Sequence, residues 1–493
     1  MGSDDLAGVD FPAGPDGRRS TSAVGRAVVA DALRAADPAL AQRAEREANW
    51  RAGYLTHFRA LVEAGLASPD AAAAVAAGGL DSLYRQLRAV GADGAESGLD
   101  TLLTAPARRE LDLVPVSGTA ADPGTLAVPY RGTVLDGDGL ARQLAAWVAA
   151  GTVEPSLATA VTEVARHPEW LRLAGRTVAV LGAGAEMGPA STLLGWGARV
   201  LAVDLPQPAI WERLLTAARG SAGTLLVPVT GGAGDEASLA GRAGADLVAD
   251  VASVADGLAA ADGGALVLAN YAYADGAGHV RVAAAVDALT RRVQARRADV
   301  ALAFLATPTD VFAVPADAVA QADRAYGTRS PAARQHVQRP AGQPGADPGI
   351  NDSLVAQQGP NYALAKRLQR WRATVARRDG ATVSINIAPP TRTRSVLKNR
   401  ALAAAYAGAH RFGVEVFEPA TSRVLMAALL VYDLHAGGEA GTGGGGAASG
   451  GRESHPWQDE AHAAAHGGLW RMAYAPRSAL TLAAALGYLR PGK

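Results

Sequence analysis

The chain contains no cysteine. Disulfides, thiolate nucleophiles and cysteine-held metals are therefore excluded, although that absence does not fix the compartment. Lysine is almost as scarce: of 47 basic residues, only Lys366, Lys398 and Lys493 are lysines. Aromatic residues make up 5% of the 493 positions, so aliphatic side chains, alanine above all, must fill the core. That composition suits helices packed on a parallel sheet. Formal net charge is zero, with 47 residues of each sign, which removes any overall electrostatic pull toward nucleic acid or an anionic membrane. No charge-free apolar run reaches the roughly 18 residues of a membrane span. The opening residues 1–6 lack the basic and apolar regions of a signal peptide. These absences lead to the expectation of a soluble, cytoplasmic protein with two to three domains.

What is present begins with Tyr362 and Lys366, in the stretch Asn361-Tyr-Ala-Leu-Ala-Lys366. With 11 tyrosines and so few lysines, only about 0.07 Tyr-x-x-x-Lys matches are expected by chance. On a helix, residues four apart share a face, so a phenol and an ammonium would project into one site. A nearby cation favours phenolate over phenol and lowers the phenol pKa. Such a phenol can give a proton to a carbonyl being reduced. The competing reading is a surface tyrosine and lysine on an amphipathic helix.

A second signal lies upstream. Residues 176–181 form a short apolar run of the buried parallel-strand kind. It ends in Gly182-Ala-Gly184-Ala-Glu186-Met187-Gly188-Pro-Ala190 and continues as a helix pattern to Trp196. The next apolar run ends in Asp204, about 20 residues beyond the turn. Strand, glycine turn, helix, strand and acid, in that order, make a dinucleotide-binding unit. Glycines let the backbone approach a pyrophosphate, and Asp204 would accept hydrogen bonds from ribose hydroxyls while repelling a 2′-phosphate. NAD is therefore expected in preference to NADP.

Alternating apolar runs and helix patterns over 173–434 predict an α/β fold, a Rossmann-type doubly wound parallel sheet. Candidate strands are Val178–Leu181, Val200–Val203, Leu225–Val229, Leu247–Val251, Ala265–Ala269, Val300–Leu305 and Thr382–Ile387. Residues 1–172 read as a mostly helical region that serves oligomerisation or covers the cleft, with short strand patterns at 111–116 and 126–130. The stretch from Pro331 to Asn351 reads as an irregular insertion and a candidate substrate lid, within an insertion spanning about 311–355. A glycine-rich linker over 435–453 leads to a C-terminal segment, 454–493, apolar enough to dock on the body.

In this order the motifs resemble those of the short-chain dehydrogenase/reductase family, here as a divergent member with an N-terminal extension. Gly184 to Ala190 is similar to the family's Gly-x-x-x-Gly-x-Gly turn. Asp250-Val251 looks like the family's Asp-Val at the adenine, with Asp235 a weaker competitor. Asn270 falls where the family has Asn-Asn-Ala-Gly. Pro389 with Thr391 or Thr393 stands where the family holds the nicotinamide carboxamide. The resemblance implies hydride transfer between a nicotinamide and a carbonyl or alcohol. Tyr362 would then be the proton donor, and Lys366 would lower its pKa and hold the nicotinamide ribose. A hydroxyl in place of the family's serine would be Thr307, with Ser353 nearer in sequence but less well placed. Homo-oligomers are common in that family. An epimerase or dehydratase using NAD transiently, and a non-catalytic dinucleotide-binding protein, are the alternatives. His455, His462 and His466 are expected to be surface histidines rather than metal ligands, and Arg291, Arg292, Arg296 and Arg297 the solvated face of a helix. Arg392 and Arg394 follow the last strand and are candidates for an acidic substrate group, with exposed structural arginines as the default.

Overall fold

A computed structural model describes residues 7–232, 235–329, 347–436 and 454–489. Most of the candidate lid at 331–351 and of the glycine-rich linker lies outside the described residues.

Seven strands make the central sheet: β1 (Asp112–Ser117), β2 (Arg176–Leu181), β3 (Arg199–Val203), β4 (Thr224–Val229), β5 (Ala265–Asn270), β6 (Val300–Ala306) and β7 (Val383–Ile387). Their order is β7-β6-β5-β2-β3-β4-β1. From β2 onward every pairing is parallel, and only β1 runs antiparallel, along β4. The chain winds outward from β2 through β3 to β4, returns to the other side of β2, and winds outward again from β5 to β7. The sheet is of the Rossmann-like α/β kind, and its order reverses between β2 and β5, the place where such sheets open a crevice at their carboxyl ends.

The two-residue period of a strand divides the interior in two. Ala179, Leu181, Leu201, Val203, Leu266, Leu268, Leu302 and Phe304 face one core, which is packed by the N-terminal helices Thr21–Arg34, Trp50–Gly65 and Pro69–Gln86 and by helices Ala277–Gln294 and Gly359–Arg378. Val178, Val180, Val200, Ala202, Val267, Ala269, Ala303 and Leu305 face the other, beneath helices Pro155–Arg166, Pro208–Arg219 and Pro419–Ala436. The residues before 173 thus supply an edge strand and helices on both faces of the same sheet. Among the described residues, no helix is long and apolar enough to cross a membrane.

Six of the seven candidate strands between residues 173 and 434 are observed. The seventh, Leu247–Val251, is not a strand. Asp246 accepts from the N–H of Val248 at 2.8 Å, and Asp250 accepts from the N–H of Asp246 at 3.1 Å. These local side-chain bonds offer the backbone a turn in place of a ladder, and helix Val251–Ala259 begins directly after Asp250. The arginine pairs also need correction. Arg292 is 3% exposed, its guanidinium held by Asp256 at 2.9 and 3.1 Å and by the carbonyls of Leu102 and Ala105. Its aliphatic stem and paired head make it an interior strut between the Ala277–Gln294 helix and the loop below it.

Candidate active site

The sheet topology brings the loops after β2, β3, β5, β6 and β7 to one carboxyl edge. The first of these is the glycine turn. Gly182 sits at φ +80°, in the left-handed region that only glycine enters without strain. A Cβ at Gly184 would lie 2.8 Å from Ile210 Cγ2 and 3.1 Å from Asp204 Oδ2, so a side chain here would push against both. The turn is internally bonded: the amides of Gly182 and Ala183 donate to Val203 O, and those of Ala185 and Gly188 donate to Gly182 O and Ala185 O. Helix Ala190–Gly195 follows, and Pro189 at its start has no N–H to offer. Glu186 accepts from the Arg394 amide at 2.8 Å, while Met187 packs half-buried against the second core.

Asp204, at the end of β3, faces this turn. Its Oδ2 accepts from Gly184 N at 2.7 Å and its Oδ1 from Leu205 N at 2.8 Å. Burial raises its pKa, and the two amides work against that rise. A carboxylate has about four acceptor sites, so a pair of ribose hydroxyls can still be accommodated. Asn270, at the end of β5, is 4% exposed, and its side-chain oxygen accepts from Ala272 N at 3.2 Å. Asp250 is occupied otherwise: Arg109, from the N-terminal region, forms an ion pair with it, and Val251 is buried in the first core. Asp235 is exposed and caps a short turn through Ala237 N.

Tyr362 and Lys366 stand on helix Gly359–Arg378. Pro360 at its first turn, an absence of β-branched residues up to Thr374, and Arg377 and Arg378 in the last turn account for its length. Ala363, Leu364, Leu368 and Trp371 bury one side. Tyr362 is half-buried, with His279 and Tyr273 set edge-on to its ring at centroid distances of 5.2 and 6.3 Å. Thr307, the first residue past β6, lies close enough to the phenol for its hydroxyl to oppose the effect of burial on the phenol pKa. Thr307 also lies 2.9 Å from Thr309, hydroxyl to hydroxyl.

The expected pairing of ammonium with phenol is not what sets the phenol's acidity. Burial raises the pKa of Tyr362, and the opposing influence comes from Thr307. Lys366 instead donates to Leu305 O at 3.0 Å and to Gln369 Oε1 at 3.2 Å. Burial lowers its pKa to about 8, with Asp310 pulling the other way. At neutral pH the site therefore holds a neutral phenol and a charged ammonium tied to the strand end.

His279 is the residue that no sequence pattern singles out. It is 1% exposed, neither ring nitrogen has a hydrogen-bond partner among the described residues, and burial followed by the Lys366 charge lowers its pKa to about 3. It is a neutral imidazole against the Tyr362 ring. Behind the helix, Asp310 is 1% exposed and bonds Arg367 and Arg370 at 2.8 Å each. Arg370 continues to Glu460.

The residues after β7 are tied up locally. Thr391 donates to Pro389 O at 2.8 Å and lies 2.7 Å from the Ser422 hydroxyl. Thr393 caps helix Arg394–Lys398 through Val396 N. Arg392 and Arg394 are exposed. Ser353 is 1% exposed and bonded to Asn351. His466, contrary to expectation, is fully buried and 2.9 Å from Glu154. The segment after residue 454 docks on the body, with Ala465 N donating to Ile387 O at 3.1 Å. No group of three His, Asp or Glu among the described residues could hold a metal ion.

No protein-family model matches the chain, and no curated protein does. Among solved structures, the chain is similar to a thiolation-reductase di-domain from an archaeal non-ribosomal peptide synthetase, at 11% identity and a TM-score of 0.27. That match covers 50% of this chain and about half, 51%, of the other. It is too slight to transfer any property.

Proposed function

We propose that the chain is a nicotinamide-dinucleotide-dependent oxidoreductase acting on a carbonyl or alcohol. One observation carries this reading: Tyr362, Thr307 and Lys366 meet at the carboxyl edge of a sheet in Rossmann order, the edge that also holds the glycine turn and Asp204. The support for the cofactor lies at its ribose, where Asp204 has acceptor capacity left for hydroxyls; the amides of Gly182, Ala183, Gly184, Ala185 and Gly188 are already engaged within the turn and with Val203 and Asp204. Its negative charge disfavours a 2′-phosphate, hence NAD over NADP. The adenine end differs from the family pattern, since Asp250 is clasped by Arg109.

When bound, the nicotinamide supplies or accepts the hydride. The chain handles the proton. Tyr362, kept neutral by burial, gives its phenolic proton to the carbonyl oxygen as the carbonyl carbon gains hydride, and the product is the alcohol. Thr307, beside the phenol, offers its hydroxyl to orient the carbonyl oxygen. Lys366 contributes a fixed positive charge at the end of β6, which favours the negative charge developing on that oxygen. A second reading, dinucleotide binding without turnover, is favoured by the two bonds that hold Lys366 to Leu305 and Gln369.

The test is NADH oxidation by the full-length protein with a panel of aldehydes and ketones. Carbonyl-dependent loss of NADH absorbance is expected. NADH binding without turnover of any carbonyl or alcohol would establish the second reading instead. Gly184→Val, which forces a side chain against Ile210 and Asp204, is expected to weaken NADH binding by at least tenfold in a fluorescence titration; unchanged affinity would remove the turn from the site. The pH profile gives a separate check. Lys366 is charged below about 8 and neutral above it, so kcat/KM for reduction should fall as pH rises through 8. In Lys366→Met the rate should be low and that limb missing.

A further inference from the structure

A cleft of about 540 Å³, counting its open mouth, has Thr309 in its lining. Its walls come from helix Arg400–Gly408 and the turn after it, from helix Pro476–Leu489 and from the segments that join them to the body. Tyr406, Phe412, Val416, Met472, Leu480 and Ala483 are among the lining residues, and no Asp, Glu, Lys or Arg is. Its polar side chains other than the Tyr406 hydroxyl are Thr309 and Ser353. Thr309 lies 2.9 Å from Thr307, whose hydroxyl influences the Tyr362 phenol. Tyr406 is close enough to Tyr362 that charge on one disfavours charge on the other. The cleft is thus apolar over most of its wall and polar at Thr309, which leads through Thr307 toward Tyr362.

We propose that this cleft receives an uncharged apolar chain or ring attached to the carbonyl carbon, so that the substrate is a lipophilic aldehyde, ketone or alcohol whose oxygen lies at Thr307 and Tyr362. The proposal rests on the reading of Tyr362 as proton donor. A charged or sugar-like body would lose its hydration against these walls with no partner in return. An alkyl body gains with each methylene it buries. Met472, with its unbranched and polarisable side chain, lets the wall adapt to different shapes.

Two measurements on the full-length protein test it. The first needs no cofactor: N-phenyl-1-naphthylamine, a neutral dye that fluoresces in apolar surroundings, is bound and then displaced with 1-alkanols. Octanol is expected to displace the dye at far lower concentration than butanol. Leu480→Trp and Val416→Phe, two half-buried positions where added bulk fills the cleft, should each weaken dye binding at least tenfold while the circular dichroism spectrum is kept. The second measurement is NADH-dependent turnover of straight-chain aldehydes from propanal to octanal. Here kcat/KM should rise by about three- to fourfold per methylene until the cleft is full, and the octanal-to-propanal ratio should collapse in both variants. Equal kcat/KM along the series, or a dye that octanol does not displace, overturns the proposal. Displacement by octanol with no NADH-dependent turnover of any carbonyl leaves an apolar-ligand site but removes the oxidoreductase reading, so the two failures are told apart.

Discussion

Replacing Tyr362 by phenylalanine is expected to lower kcat for carbonyl reduction by about 10²–10⁴-fold, the range that general acid catalysis supplies, while NADH affinity stays within about twofold. The ring of phenylalanine keeps the edge-on contacts with His279 and Tyr273 and loses only the hydroxyl that Thr307 influences. Packing, cofactor contacts and the sheet edge are left as they were, so the loss reports the proton and little else. Because burial holds the phenol above its ordinary pKa, the wild-type rate should show no alkaline limb from Tyr362 below that of Lys366. A Tyr362→Phe enzyme that keeps its rate removes this residue from the chemistry. Steady-state kinetics with a saturating aldehyde, together with an NADH titration of the same preparation, measures both quantities.

The second large effect concerns stability. Asp310→Ala is expected to destabilise the fold by about 3–5 kcal/mol, because it leaves the buried guanidiniums of Arg367 and Arg370 without the carboxylate that both share. Arg370 keeps Glu460, but among the described residues Arg367 has no ion-pair partner other than Asp310, and its Nε has no hydrogen-bond partner there. The same substitution acts on the site at a distance. Asp310 raises the pKa of Lys366 against the effect of burial, so its removal should move the alkaline limb of the pH profile below about 8. A urea midpoint unchanged by Asp310→Ala would contradict the assignment of this network as a support of the Tyr362 helix. So would a stability loss with no shift of the limb, as far as the electrostatic link to Lys366 is concerned.

The core of the fold was legible because parallel strands are buried on both faces and so read as unbroken apolar runs. Val178–Leu181, Val200–Val203 and Val300–Leu305 needed no other information. Leu247–Val251 looks the same by composition, but its flanking aspartates decide the matter, since Asp246 and Asp250 bond the local backbone. What periodicity could not show is which distant elements meet. The pattern at 111–116 predicts a strand but not that it would run antiparallel to β4, and helix patterns before residue 173 do not say that both faces of one sheet receive them. Arg292 reads as surface because its interior partners, Asp256 and two carbonyls, lie far away in sequence.

At the site, the four-residue spacing of Tyr362 and Lys366 places both on one helix, and Thr307 follows from its position just past β6. The ammonium's own partners did not follow, because Leu305 O is a main-chain atom and every residue has one. His279 left no trace for the same kind of reason: a histidine within an apolar helix face has no companion in sequence to mark it. Asp250 carries the expected motif, yet Arg109 from the N-terminal region takes it, a contact that only the three-dimensional arrangement of the chain creates.

Hydrogen–deuterium exchange of the full-length protein with and without NADH tests the convergence of these distant stretches most directly. Added protection is predicted together in peptides covering the glycine turn and Asp204, the end of β5 at Asn270, and the start of the Tyr362 helix. Protection that spares the Tyr362 helix, or no change in any of the three at saturating NADH, would contradict a shared site at the carboxyl edge.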